Sequence, residues 1–91
     1  MRVDTLLRMF AANWVKTNGG CRFPNGQSNL IANKEGVSLD ACKDFCLKNP
    51  KCDSFDTGGG QCWLFQNKGG MKHTGDGKAK GVSCYVKPGN T

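Results

Sequence analysis

The motif SLDACKDFCLKNPKC (residues 38–52) joins a well-delimited helix to three of the six cysteines of this 91-residue chain. Ser38 suits the N-cap, because its hydroxyl can accept from the free amides of the first helical turn. Pro50 ends the helix, because the residue before a proline is pushed out of the helical conformation. Between these limits apolar residues recur at spacings of three and four, which predicts a helix over 39–48 with one apolar stripe. The stripe consists of Leu39, Cys42, Phe45 and Cys46.

Outside this helix, short apolar strands alternate with glycine-rich turns. Strands are predicted at 14–15 with 21–23, 30–31, 52–55, 61–65 and 82–86, and residues 67–81 are predicted as a long polar loop. In the 61–65 strand, Cys62 and Leu64 point to one face of the sheet. Trp63 and Phe65 point to the other face, where they form either a second packing layer or an exposed contact patch. This order of elements predicts an α+β fold with one helix on an antiparallel sheet.

The even number of cysteines in so short a chain predicts a disulfide framework and an oxidising compartment outside the cytosol. Six cysteines allow fifteen pairings, and spacing alone does not choose among them. Geometry favours joining the second helix cysteine to the one just past the helix end, and the first helix cysteine to the inward-facing one of the 61–65 strand. The two outermost cysteines then pair with each other. These pairs are Cys46–Cys52, Cys42–Cys62 and Cys21–Cys84.

Neither a metal site nor catalysis is expected. Only Cys42 and Cys46 have the spacing of a zinc-ligand pair, and structural zinc sites usually use two such pairs. One histidine and an even number of cysteines leave no thiol with a base to activate it. We therefore predict no cofactor and no enzymatic activity.

The net charge of +6 limits the partners. Its plain interpretation is a solvated surface, and the sharper one is an acidic or oxygen-rich partner such as a glycan. Nucleic acid is not expected, because disulfides place the chain in the wrong compartment and no basic helix follows a phosphate backbone. Membrane insertion is not expected either, since no stretch approaches the ~20 apolar residues of a membrane span.

The N-terminal segment is expected to lie outside the folded domain. Arg8 interrupts its apolar run and no convincing cleavage site follows, so a signal peptide is not predicted, and the chain is expected to be a piece of a longer secreted protein. We predict a linker or added segment at 1–14 and one domain at 15–91. A short helix from Asp4 could present one apolar side. That side would hold Leu6, Leu7, Phe10 and Trp14.

The run SLDACKDFCLKNPKCDSF, followed by GGQCWLF and flanked by Cys21 and Cys84, resembles the PAN/apple domain over residues 20–87. The resemblance implies a five-stranded antiparallel sheet cradling one helix, with the three disulfide pairs given above. It also implies a non-catalytic, extracellular adhesion module. Among apple domains, the chain is most similar to the galactose-binding ones of apicomplexan microneme adhesins.

That resemblance implies a lectin for terminal galactose on host-cell glycans, within an adhesin stored in the microneme and then secreted. Its sugar pocket would combine a lysine, a histidine, a tyrosine and an acidic residue, to donate to and accept from hydroxyls and to offer a flat apolar face. The matching residues are Lys68, His73, Tyr85 and Asp56, with Lys72, Thr74 and Asp76 as second-rank candidates. Other adhesin proteins are further candidate partners.

Two alternatives stay open. The domain could be a protein-interaction module of an adhesin or a zymogen. It could also bind heparin or another sulfated glycan through lysines near the C-terminus. Those lysines are Lys68, Lys72, Lys78, Lys80 and Lys87.

Overall fold

A computed structural model describes residues 14–87 as one helix on a five-stranded antiparallel sheet, with a two-stranded sheet beside it. The elements are β1 (Val15–Asn18), β2 (Cys21–Arg22), β3 (Leu30–Glu35), α1 (Leu39–Lys48), β4 (Ser54–Gly58), β5 (Gln61–Phe65), β6 (Thr74–Gly75) and β7 (Ser83–Val86). The main sheet has the order β1-β7-β4-β5-β3, and β2 pairs with β6. The helix predicted from Asp4, and the linker predicted at 1–14 apart from Trp14, lie outside the described residues.

Helix α1 has the limits that the sequence predicts. The Ser38 hydroxyl accepts from the amide of Ala41 at 3.1 Å. At the other end, the Lys87 ammonium donates to three carbonyl oxygens, of Cys46, Asn49 and Cys52, at 2.8, 3.2 and 3.0 Å. A cation is favourable there, because the C-terminal carbonyls form the negative end of the helix dipole. Within residues 14–87, no helix is long and apolar enough to span a bilayer.

The main core lies between α1 and the sheet. Phe55 is fully buried at its centre, with the Tyr85 ring stacked on it at 5.0 Å and the Trp14 ring edge-on at 5.1 Å. Such aromatic pairs contribute more than their buried area alone. Trp14, at the end of the predicted linker, is thus packed against the core.

The three disulfides confirm the predicted pairing: Cys21–Cys84, Cys42–Cys62 and Cys46–Cys52. Two of them fasten the helix to the main core, and the third ties β2 to β7 on the other face of the sheet. By the loop-entropy relation, the bridge spanning 63 residues contributes about 4 kcal/mol and the one spanning 6 residues about 2 kcal/mol. The fold and the disulfides are those that the PAN/apple resemblance implies.

Several strand limits differ from the prediction: β1 extends to Asn18 and β3 to Glu35, well beyond the predicted 14–15 and 30–31. The 52–55 strand instead occupies Ser54–Gly58, because Gly59 and Gly60 alone make the turn, with positive φ angles of 61° and 82°. Two such residues form the type I′ turn that suits a hairpin. The predicted loop 67–81 contains the strand β6 and an isolated bridge between Lys68 and Met71. The pairing of β6 with β2 fastens this segment to the rest of the domain, whereas the Lys68–Met71 bridge lies within the segment itself.

Candidate functional site

The main sheet separates two of the predicted sugar ligands. Tyr85 is the cross-strand partner of Phe55, and Asp56 is the partner of Cys84. Since neighbouring residues of a strand point to opposite faces, Tyr85 lies on the helix side and Asp56 on the other side. Tyr85 is 9% exposed, with its ring covered by Phe55. The two side chains cannot contact the same sugar.

His73 is buried rather than exposed on a loop. It is 2% exposed, and its ring lies 4.0 Å from that of Phe23 and 5.1 Å from that of Phe65. Its Nε2 accepts from the amide of Asn29 at 3.2 Å, so in the neutral ring the proton is on Nδ1. Burial lowers the pKa of His73 to about 4. This histidine is a neutral packing residue at pH 7.

Lys68 lies apart from the other predicted ligands. It is exposed, and it lines a small cavity of about 180 Å³ formed by residues 67–72, which include the second-rank candidate Lys72. The other second-rank candidates, Thr74 and Asp76, line a separate cavity of about 310 Å³. The cavity that Lys68 lines therefore contains none of the other three predicted ligands, His73, Tyr85 and Asp56.

A different group of side chains converges on the sheet face opposite the helix. There a half-open cavity of about 240 Å³, here called the cleft, is built on the outer faces of β4 and β5. Its border consists of residues from the start of β2 and from the loop before β7. The lining residues are Gly20, Arg22, Asp56, Gly58, Gln61, Trp63, Ala79 and Val82.

Asp56 and Trp63 form the base of the cleft. They are direct cross-strand partners on β4 and β5, so their side chains lie next to each other on one face. Asp56 is 6% exposed, and its Oδ2 accepts from the amide of Cys21 at 3.0 Å. Burial raises the pKa of this carboxyl, while the Cys21 amide and the Arg22 guanidinium partly oppose that change. Trp63 also packs against the cluster around Cys21, so it is a packing residue that at the same time lines the cleft.

Arg22 and Asp56 meet at Gly20. The guanidinium is oriented by its donation to the carbonyl of Cys21 at 2.7 Å. A methyl group on Gly20 would lie 3.5 Å from both the Arg22 Nη1 and the Asp56 Oδ2. Within residues 14–87, however, these two groups form no ion pair within 4.0 Å. A donor and an acceptor thus face the same small space, which suits a ligand with adjacent hydroxyl groups.

Sequence reasoning found only part of this site. Asp56 was predicted as a ligand, and it lines the cleft. Arg22, Gln61 and Gly20 were missed, because nothing in their local sequence marks them. The one available signal was the predicted disulfide between Cys21 and Cys84 in the last strand. This disulfide places Arg22, the residue after Cys21, close to the sheet. In the described part of the chain, no group of three or more His, Cys, Asp or Glu residues is placed to hold a metal ion.

Comparison with known proteins gives one informative similarity. Over 57 residues, 60% of this chain, the sequence is 40% identical to a G-type lectin S-receptor-like serine/threonine-protein kinase of Arabidopsis thaliana. The matched region covers only 7% of that kinase. No family model and no solved structure matches the chain. This similarity and the three disulfides fit a PAN/apple domain, and the disulfides are typical of secreted or extracellular proteins.

Proposed function

We propose that this chain is an extracellular carbohydrate-binding module, without catalytic activity, that holds one sugar unit in the cleft. The observation that carries the proposal is the juxtaposition of the Asp56 carboxylate and the Trp63 ring at the base of a half-open cavity. Small-molecule sites typically combine an apolar surface with a few converging polar groups. The cleft has this composition.

Each lining group has a role that matches sugar chemistry. The Trp63 ring offers a flat apolar surface to the C–H face of a pyranose. The Asp56 carboxylate accepts from hydroxyls, the Arg22 guanidinium donates to them, and the Gln61 amide does both. A single half-open site of this kind should bind weakly, with a Kd on the order of millimolar to micromolar. Useful adhesion would then come from several linked copies of the site.

The lectin in the name of the similar kinase supports a carbohydrate ligand, and the disulfides support an extracellular location. Galactose as the sugar, and a microneme adhesin that attaches to host cells as the parent protein, are finer predictions that rest on the family resemblance alone. Galactose differs from glucose by its axial O4. A selective site therefore has to place the Asp56 acceptor or the Arg22 donor at that hydroxyl.

Titration of the isotope-labelled domain with lactose and with cellobiose tests the proposal by NMR. We expect lactose to shift the indole resonance of Trp63 and the amides that border the cleft. Gly20→Ala should reduce binding at least severalfold, because its methyl group would enter the space between Arg22 and Asp56 at ordinary contact distance. Gly20 does not have a positive φ, so this change fills the cleft without backbone strain. Equal shifts with cellobiose would contradict galactose selectivity but not sugar binding.

Lys68→Met and Tyr85→Phe are the matched controls, because both residues lie outside the cleft. We expect both variants to bind lactose as the wild type does. Loss of binding in these two variants, with normal binding by Gly20→Ala, would support the ligands predicted from sequence. It would also contradict the proposal that the cleft binds the sugar. If no saccharide causes any shift, the lectin proposal itself fails.

A second candidate is an anionic glycan, favoured by a basic cavity next to the cleft. This cavity of about 440 Å³ is lined by Lys78 and Lys80, and it shares Ala79 and Val82 with the cleft. Binding of a sulfated saccharide there should weaken steeply as salt is raised, whereas binding of a neutral sugar should barely respond. Measuring affinity for lactose and for a sulfated lactose at low and high ionic strength separates the two candidates.

A further inference from the structure

The Asp76 carboxylate lies outside the cleft but is bonded to both chain segments that border it. Its Oδ1 accepts from the amide of Gly20 at 3.2 Å, and Gly20 lines the cleft next to Arg22. The same oxygen accepts from the amides of Lys78 and Ala79 at 2.9 and 3.4 Å. Ala79 lines the cleft as part of the second segment. One oxygen atom therefore connects the two borders.

The surrounding backbone brings this oxygen into place. The amide of Asp76 donates to the carbonyl of Gly20 at 3.0 Å, and the amide of Gly77 donates to the carbonyl of Asn18 at 2.9 Å. Gly19, at a φ of 96°, lies directly against the Asp76 side chain, where a Cβ atom would collide with Oδ1. Glycine is needed at this position both for the positive φ and for the close approach.

We propose that Asp76 is the positioning residue of the cleft, fixing the start of β2 and the loop before β7 relative to each other so that the site is formed before a ligand arrives. The inference rests on the proposed function, because it states that Asp76 increases the affinity of the cleft for its sugar. The three amides stabilise the charged carboxylate, and they lower the pKa of Asp76 below its usual value, chiefly through Lys78. A preformed site avoids the entropic cost of ordering its borders on binding.

The matched pair Asp76→Ala and Asp76→Asn tests this role. Asparagine keeps a carbonyl oxygen that can accept from the amides, whereas alanine keeps none. We expect Asp76→Ala to weaken lactose binding on the order of tenfold, and Asp76→Asn to stay within about twofold of the wild type. Asp44→Ala removes a carboxylate from the helix, and it should leave binding unchanged.

Amide hydrogen exchange provides a readout that needs no ligand. We expect the amides of Gly20 and Ala79 to exchange faster in Asp76→Ala than in the wild type, and to recover protection in Asp76→Asn. Unchanged exchange or unchanged lactose affinity in Asp76→Ala would overturn the inference and leave the lectin proposal standing. If the wild type binds no saccharide, the lectin proposal fails, and the exchange data alone decide whether Asp76 fixes the two segments.

Discussion

The stability of the domain should depend on pH through His73, and replacing this residue by glutamine should remove that dependence. The imidazole is buried between Phe23 and Phe65, and its pKa is lowered from the ordinary 6.5 to about 4. Burial is the main cause, and Arg22 acts in the same direction, whereas Asp53 partly opposes it. Glutamine can offer an acceptor to Asn29 without titrating in this range.

The sign follows from which state binds the proton. Above pH 6.5 the ring is neutral in both the folded and the unfolded chain, and its full contribution to stability is present. As the pH falls from 6.5 to about 4, the unfolded chain takes up a proton that the folded chain refuses, so the free energy of unfolding decreases. The difference between the two pKa values corresponds to about 3 kcal/mol. Local opening that lets water reach the charged ring reduces this, and we expect a loss of about 2 kcal/mol.

Urea unfolding with the disulfides intact, followed by tryptophan fluorescence between pH 4 and 7.5, measures the effect. The wild type should lose about 2 kcal/mol more than His73→Gln over this interval. Comparing the two proteins cancels the contribution of Asp56, whose raised pKa acts in the opposite direction in both. Equal pH dependence in the two proteins would refute the reasoning, as would an imidazole that titrates near pH 6.5 in the folded state by NMR.

Two further predictions concern the stability of the fold. Lys87→Met should lower the free energy of unfolding by about 2 kcal/mol, because it removes three hydrogen bonds to carbonyl oxygens at and just after the end of α1. Thermal unfolding measures this loss, with Lys51→Met, at an exposed lysine, as the control. Equal losses in the two variants would show that the three hydrogen bonds contribute nothing. Gly75→Ala should lower the free energy of unfolding by about 2 kcal/mol or more, because its methyl group would collide with the carbonyl oxygen of Asn18. Backbone atoms cannot move aside as a flexible side chain can. An unchanged melting temperature would contradict this prediction.

Local signals were sufficient for the helix and for much of the sheet. The Ser38 cap and the proline at 50 set the limits of α1 because they act on neighbouring backbone groups. The alternation in β5 correctly separated Leu64, in the main core, from Phe65, in the cluster on the other face. Local spacing left fifteen disulfide pairings open, and the confirmed pairing came from the geometric argument together with the PAN/apple resemblance.

The candidate site was harder to predict, because its residues are distant in sequence. The 67–81 segment was predicted as a long polar loop, yet the carboxylate of its residue Asp76 accepts a hydrogen bond from the amide of Gly20, 56 positions away. His73 was predicted as a sugar ligand on the same polar loop, on the basis of the family resemblance. Its burial depends on Phe23 and Phe65, which no local pattern connects to it.

The sequence by itself determined the helix, the alternation within strands and the disulfide-stabilised α+β fold, since each depends on spacing along the chain. Only the tertiary structure decided which side chains share a site. The register of β4 against β7 pairs Phe55 with Tyr85 and Asp56 with Cys84, and so places the predicted tyrosine and aspartate on opposite faces. Register is a property of two strands far apart in sequence, and a shift of one residue would exchange the faces. For that reason the cleft around Trp63 became visible only in three dimensions.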